Sequence, residues 1–432
     1  MLSSLLSFLS LSDPNVRFVV LGMVLLGASA GAVGCFTLLR KRALLGDAVA
    51  HAVLPGICVA FMLSGTKNIA VLMAGAVASG WLSLWAIDLI TRRSRIKADT
   101  ATGLVLSVFF GIGILLLTVI QRSGNASQSG LDKFLLGKAA AMTGTDVQLL
   151  AVVCALLLGT IAVFLRGFWL ISFDPNFARA IGMPTRSLEL LLATITVVDV
   201  AVGIQAVGVV LMAALLLTPA AAARYLTDRL VLMLFLAMSI GALSGVGGAY
   251  ISYIAPAMPT GPWVVVVLSS IAALCVFFAP RKGLAARWWQ HRRNRRQMLE
   301  ENVLKIFYQL GEAKNDFFAP RPIDALQQRR ALPQQHLQQG LKRLVARDYI
   351  RQQPEGWVLT DTGKQNAQRL VRVHRLWEVY LSRYHHLAPD HVHDNADAVE
   401  HLISPDLEQQ LETMLNYPQA DPHNNPIPYK KT

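Results

Sequence analysis

The stretch "LLGDAVAHAVLPG" occupies residues 44–56. It lies inside apolar sequence, yet it carries Asp47 and His51 four positions apart. Residues at i and i+4 of a helix share a face. An Asp within a bilayer costs about 2.5–3.5 kcal/mol on insertion scales, so such a pair turns to a partner or a hydrated interior, not to lipid. A carboxylate with an imidazole suits a first-row divalent cation. Two side chains hold an ion weakly, and weak holding fits a route that the ion must leave again. The same spacing also fits an Asp–His hydrogen bond that locks two helices together. From spacing alone the two readings stand level.

Outward from this stretch the texture is that of a membrane protein. The chain has 432 residues, 53% hydrophobic and 16% charged, which is too apolar for a soluble protein of this length. Apolar runs fill it up to Pro280 and polar sequence follows. A crossing helix needs roughly 20 apolar residues. Candidate spans are 17–39, 43–64, 68–90, 101–121, 147–166, 187–203, 205–223, 230–253 and 262–279. Gly203, Gln205 and Gly208 mark a break within the long run 187–223, so the expected count is eight or nine. The first 16 residues lack a basic n-region and a cleavage site, and read as a short interfacial helix. Cys35, Cys58, Cys154 and Cys275 all fall in apolar runs with no metal-finger spacing, as small buried hydrophobes.

Charge sets the orientation. Lys and Arg number 40 against 27 Asp and Glu, for a net +13. The basic clusters at 40–42, at 92–97, around Arg179 and Arg186, at Arg224 and Arg229, and at 281–296 share one side if nine spans begin outside. The polar C-terminal part is therefore expected in the cytoplasm. Segment 281–296 holds seven Arg and Lys, no acid, and Trp288 and Trp289. It reads as a juxtamembrane anchor on anionic lipid headgroups. Asp199 is a third charge inside an apolar span, followed by Gln205. It would complete a cation site or accept an interhelical hydrogen bond. Asp88 sits at a basic end and neutralises it.

Three segments, "LLRKRALLGDAVAHAVLPGI" (38–57), "FDPNFARAIGMPTRSLELLL" (173–192) and "VVDVAVGIQAVGVVLMAALLLTPAAAARYL" (197–226), taken together resemble the permease subunits of metal-ion ABC importers of the manganese, zinc and iron type. That resemblance implies a permease dimer, a separate cytoplasmic ATP-binding subunit, and an extracytoplasmic metal-binding protein that delivers the ion. It also implies that Asp47 and His51 line the ion route, and that loops 173–183 and 218–229 touch the ATPase. The chain has no G-x-x-x-x-G-K-[ST] loop, so nucleotide is expected on another polypeptide.

Past residue 297 the pattern is that of a soluble unit. Residues 298–312 place Val303, Ile306, Phe307 and Leu310 at helical period. A second helix is expected near 322–331, and a third from Pro333, with Leu337, Leu341, Leu344 and Val345 inward. Two short strands around Pro354-Glu355-Gly356 follow. Helix–turn–helix plus a β-wing is a winged-helix pattern. Its third helix offers Gln334, Gln335, Gln338, Lys342 and Arg343 to a base edge, a phosphate or a protein partner. Downstream, His374, Glu378, His393, Asp397, Glu400 and His401 gather six N/O ligands within 28 residues.

"HRLWE…VHDNADAVEHLIS…NNPIP" resembles the metal-responsive repressors of the diphtheria toxin repressor and manganese regulator class. That resemblance implies a primary metal site at Asp397, Glu400 and His401 and an ancillary one at His374, Glu378 and His393. A carboxylate at 397 suits Mn²⁺ better than a thiolate would. The family also draws ligands from the first helix of the winged unit, where this chain has Asn302 and Lys305. Asn is a poor ligand and a lysine repels a cation, so the departure implies a weakened primary site.

The expected architecture is an α-helical polytopic membrane domain (1–280), a basic linker (281–297), a winged-helix domain (298–365) and a helical metal-binding and dimerisation domain (366–432). The expected function is import of Mn²⁺, with Zn²⁺ or Fe²⁺ as alternatives, across the bacterial cytoplasmic membrane under control of the tail. The competing reading is a membrane-tethered, metal-dependent transcription regulator; attachment to the membrane limits its access to nucleic acid. A channel or proton-coupled carrier is a third class, and the two ATPase-facing loops argue against it.

Overall fold

A computed structural model describes residues 8, 10, 12–42, 44–66, 68–122, 137, 139–255, 259–280, 282–329, 333–384 and 403–429. The chain divides into two compact units, Met1–Arg287 and Trp288–Thr432.

The described part of the first unit is helical throughout. In chain order its helices are α1 (Pro14–Leu39), α2 (Leu45–Ser64), α3 (Ile69–Arg93), α4 (Ala98–Arg122), α5 (Gly144–Val163), α6 (Leu165–Phe173), α7 (Pro175–Ala180), α8 (Thr185–Val207), α9 (Val209–Leu226), α10 (Leu230–Ile254) and α11 (Thr260–Phe278). Polar residues mark the starts. Asp13 caps α1 by accepting from the Asn15 amide at 2.8 Å, with Pro14 at the first helical position. Thr143 and Asp146 close a reciprocal capping box on α5.

Among the described residues, eight helices are long and apolar enough to cross a bilayer, and Leu211–Leu226 adds a shorter apolar one. The expected break falls at Gly208, whose φ of 86° and ψ of 168° suit glycine and separate α8 from α9. Gly203 and Gln205 stay helical within α8. Of the expected interfacial helix at the N-terminus, most residues lie outside the described ones; Phe8 packs on Tyr250 and Tyr253. The short helices α6 and α7 were not foreseen. Asp174 separates them, its carboxylate accepting from the Asn176 and Phe177 amides at 3.1 and 2.9 Å.

α1, α2 and α8 form the inner layer, while α4 and α11 turn most of their apolar surface outward. Leu115, Leu156 and Phe278 are exposed on that outer face, as lipid contact allows and water would not. α1 and α10 cross backbone against backbone. A Cβ on Gly27 would lie 2.4 Å from the Gly241 carbonyl oxygen, so only glycine permits this approach.

The second unit takes its first helix from α12 (Leu284–Lys314), which runs across the division. Then come α13 (Ile323–Arg329), α14 (Gln334–Ala346), β1 (Ile350–Gln353), β2 (Gly356–Leu359), α15 (Asp361–Tyr384) and α16 (Pro405–Met414). β1 and β2 pair antiparallel, Ile350 opposite Leu359 and Gln353 opposite Gly356, which makes the wing. Val303, Phe307, Leu337, Leu341, Leu344, Ile350 and Leu359 share one core. Residues 303–308 are buried without interruption, so α12 is covered on every side there. Val345, expected inward, is exposed: each helical step turns about 100°, and Leu344 already completes the inner face.

α15 carries that core onward. Ala367 and Val371 belong to it, whereas Leu376 and Val379 join Leu415 and Ile427 in a second cluster. Charge fastens the rest. Arg369 donates to Glu408 of α16 at 2.7 Å, and Arg372 donates to the same carboxylate and lies 3.1 Å from Glu412. Arg375 forks onto Glu312 of α12 at 2.9 and 2.6 Å. Burial alone would lower the Arg375 pKa, but the Glu312 bonds and the nearby Asp421 charge outweigh it and raise it.

Candidate functional site

α2 has no side-chain cap at Leu44, and Asp47 occupies its first turn, where a carboxylate is favoured by the helix dipole. α2 begins at Leu45, close to the expected start of the span at 43, so Asp47 stands near a helix end and not at the bilayer centre, where a carboxylate costs most. His51 lies one turn on, its Nε2 3.5 Å from Asp47 Oδ1. Two atoms that share a tetrahedral divalent metal, each about 2.1 Å from it, stand about 3.4 Å apart. The pair is thus at ligand spacing. Its side chains are 40% and 24% exposed on this single chain, so both can be reached.

The surroundings orient the imidazole. Phe110 of α4 meets it edge-on at 4.8 Å. His51 Nδ1 is buried without a hydrogen-bond partner. Pro55 sits inside α2 and has no N–H to donate to the carbonyl four residues earlier, which is that of His51. Carboxylate, imidazole and a carbonyl released from the helix ladder therefore occupy one turn and a half of helix.

Asp199 lies in the inner helix α8 and is 2% exposed. Its side chain is near Ser29 of α1 and Cys154 of α5. Asp199 Oδ2 and Gln205 Oε1 are both buried without a partner, an uncommon state for buried polar atoms. Among the described residues no three His, Cys, Asp or Glu side chains form a metal-ready group, so Asp199 is not gathered with Asp47 and His51 here.

In the tail, His374 and Glu378 face each other along α15, Nε2 to Oε1 at 3.0 Å, both fully enclosed. Lys305 of α12 completes the group, with Nζ 2.8 Å from His374 Nδ1. Lysine has only donors, so Nδ1 accepts and Nε2 carries the proton that points to Glu378. Both imidazole nitrogens are engaged and no lone pair is left for a metal. This arrangement does not fit a divalent cation on His374. His393, Asp397, Glu400 and His401 lie outside the described residues. Sequence reasoning set Lys305 against the primary ligands; its contact with His374 depended on how α12 meets α15, which spacing along the chain does not encode.

On α14, Gln334, Gln335, Gln338 and Lys342 are exposed. Arg343 is half-buried and leans toward the buried Glu300, 4.0 Å away, while Arg347 pairs with Glu300 at 3.1 Å.

Similarity to known proteins covers both units. A manganese transport system membrane protein of Bacillus subtilis is 41% identical over 88% of this chain and 87% of its own length. A zinc transport system membrane protein of Treponema pallidum is 42% identical over 65% of this chain and 95% of its own. Among solved structures, PsaBC from Streptococcus pneumoniae aligns with a TM-score of 0.58 and 32% identity, over 67% of this chain and 99% of that one. Residues 360–429 match the iron dependent repressor metal binding and dimerisation domain. Residues 12–279, more than half of the chain, match the ABC 3 transport family, and the chain belongs to that family.

Proposed function

We propose that this chain passes a divalent transition metal across the membrane along Asp47 and His51, as the permease of an ATP-driven importer. Its family and its apolar helices make it a multi-pass protein of the cytoplasmic membrane. The observation that carries the reading is the 3.5 Å separation of Asp47 Oδ1 and His51 Nε2, half-open. Loose two-ligand holding with water completing the shell lets an ion enter and leave. Mn²⁺ is favoured because carboxylate and carbonyl oxygens suit it. Zn²⁺ and Fe²⁺ are accepted by the same donors. Asp199 is the further acidic group available to a passing cation.

The energy source and the delivery step belong to other chains. A cytoplasmic ATP-binding subunit docks on 173–183, where α7 stands, and on 218–229. An extracytoplasmic metal-binding protein feeds the outer mouth. A second permease copy or a paralogue completes the conduit against the Asp47 face. Residues 281–297 anchor to lipid; 298–365 and 366–432 form a cytoplasmic winged-helix and dimerisation tail.

We infer that the tail throttles transport once metal fills Asp397, Glu400 and His401. A DNA-reading role is the lesser one, since Arg343 is drawn to Glu300. The deciding experiment measures Mn²⁺ uptake in vesicles that hold this chain and its ATPase, for wild type, Asp47→Ala and His51→Ala. Uptake that survives both substitutions refutes the route. For the tail, uptake by the full chain and by residues 1–290 is compared at rising internal metal; identical inhibition curves refute the throttle.

A further inference from the structure

We infer that the ammonium group of Lys305 takes the place of a metal ion in the tail and fastens α12 to α15 whether or not metal is present. The inference concerns the tail alone and does not depend on the transport reading.

The three groups lie together in an enclosed setting. Lys305, His374 and Glu378 are 3%, 4% and 1% exposed. Cation, imidazole and carboxylate lie in sequence: Nζ donates to Nδ1 at 2.8 Å, and Nε2 points its proton to Oε1 at 3.0 Å. A divalent ion bridging the same two helices would need the Nδ1 lone pair and a carboxylate on α12. Here the lone pair is taken and the α12 side chain is itself the cation. An enclosed carboxylate calls for positive charge nearby, and the lysine brings one to the far nitrogen of the imidazole, where a second cation would be repelled. Glu312 and Arg375 repeat the theme two turns along α12 with an ordinary ion pair. The α12–α15 joint thus consists of covalently anchored charges of both signs, which dialysis or a chelator cannot strip.

The consequence is a division of labour in the tail. Any metal response rests on Asp397, Glu400 and His401, whereas His374 and Glu378 hold structure. Metal then adds to a joint already made instead of creating it.

The test counts metal on the full chain in detergent. Wild type, His374→Gln and Lys305→Glu are dialysed against Mn²⁺ and bound metal is counted by mass spectrometry. Wild type and His374→Gln should bind the same number. Lys305→Glu should bind one more per chain, because a carboxylate then faces His374 and Glu378. A wild-type count that falls on His374→Gln overturns the inference, as does Lys305→Glu with no gain. Hydrogen exchange across residues 298–314 and 361–384 provides a reading without substitution of the ligands. In wild type the protection should be equal in EDTA and in Mn²⁺. In Lys305→Glu it should be lost in EDTA and regained with Mn²⁺. Wild-type protection at both segments that collapses in EDTA overturns the inference by itself.

Discussion

The chain carries the same two-residue device twice. In α2 an aspartate and a histidine stand four residues apart, 3.5 Å between charge centres, half-open and in the first turns of a helix. In α15 a histidine and a glutamate stand four residues apart, 3.0 Å between them, enclosed and with a lysine at the far nitrogen. The same pair of groups, carboxylate and imidazole, at the same spacing but in reversed order, meets opposite surroundings. Under the proposed function, exposure leaves the first pair loose enough for an ion to pass between its members. Burial and a captive cation make the second pair a fastening. An i,i+4 acid–imidazole pair therefore says nothing about transport or regulation until its third neighbour is known.

The largest effect should come from emptying the open pair. Asp47→Ala and His51→Ala should each lower metal uptake by about 100-fold or more, beyond the 10–100-fold that loss of a mere supporting residue costs. Vesicle uptake with the ATPase present measures this; a loss of only 10–100-fold would make the pair a supporting one, and a smaller loss would take it off the ion's route. Next comes the closed pair. Lys305→Met removes the buried cation beside His374 and Glu378, and breaking a buried charge partnership costs about 3–5 kcal/mol. Hydrogen exchange of α15 amides reads that cost, while metal uptake at low internal metal should hold. If uptake falls and α15 stays protected, the roles of the two pairs have been assigned the wrong way round.

A smaller effect separates the two by backbone. Pro55→Ala gives α2 back an N–H for the His51 carbonyl, so that carbonyl, where it serves the ion, is withdrawn while Asp47 and His51 remain. Uptake should fall about tenfold, equivalent to roughly 1.4 kcal/mol. α15 contains no proline, so the closed pair has no counterpart of this lever. Unchanged uptake would remove the carbonyl from the ion's route.

How much of this was legible before any coordinates follows from where the information sits. Hydropathy placed the crossing helices because backbone polar groups within lipid must bond internally, which leaves long apolar helices as the form for such runs. It blurred the break at Gly208, since one residue with positive φ does not alter a window average. It missed α6 and α7 for the same reason: α6 continues an apolar run, and the stop at Asp174 is a local cap. Asp47 and His51 were legible because i,i+4 is a local rule. The Lys305–His374 contact was not, because the two residues are 69 positions apart and meet only through packing of α12 on α15. Val345 was misjudged because it neighbours the inward face of α14 without belonging to it.

A third i,i+4 pair calibrates the other two, and it predicts the smallest effect. Arg92 Nε lies 2.9 Å from Asp88 Oδ2 near the end of α3, closer than the members of either acid–imidazole pair. Distance alone would rank it first. Yet its side chains are 67% and 47% exposed, so water screens the attraction and both long side chains give up freedom to hold one geometry. Such exposed pairs contribute about 0.2–0.5 kcal/mol. Asp88→Asn should therefore leave uptake within twofold of wild type and shift the thermal midpoint of the full chain by less than about 1 °C, consistent with so small a term spread over a chain of this size. A loss of uptake comparable with that of Asp47→Ala would show that Asp88 stands in the ion's exit rather than beside it, and the contrast between open and closed pairs would then have to be redrawn around three sites.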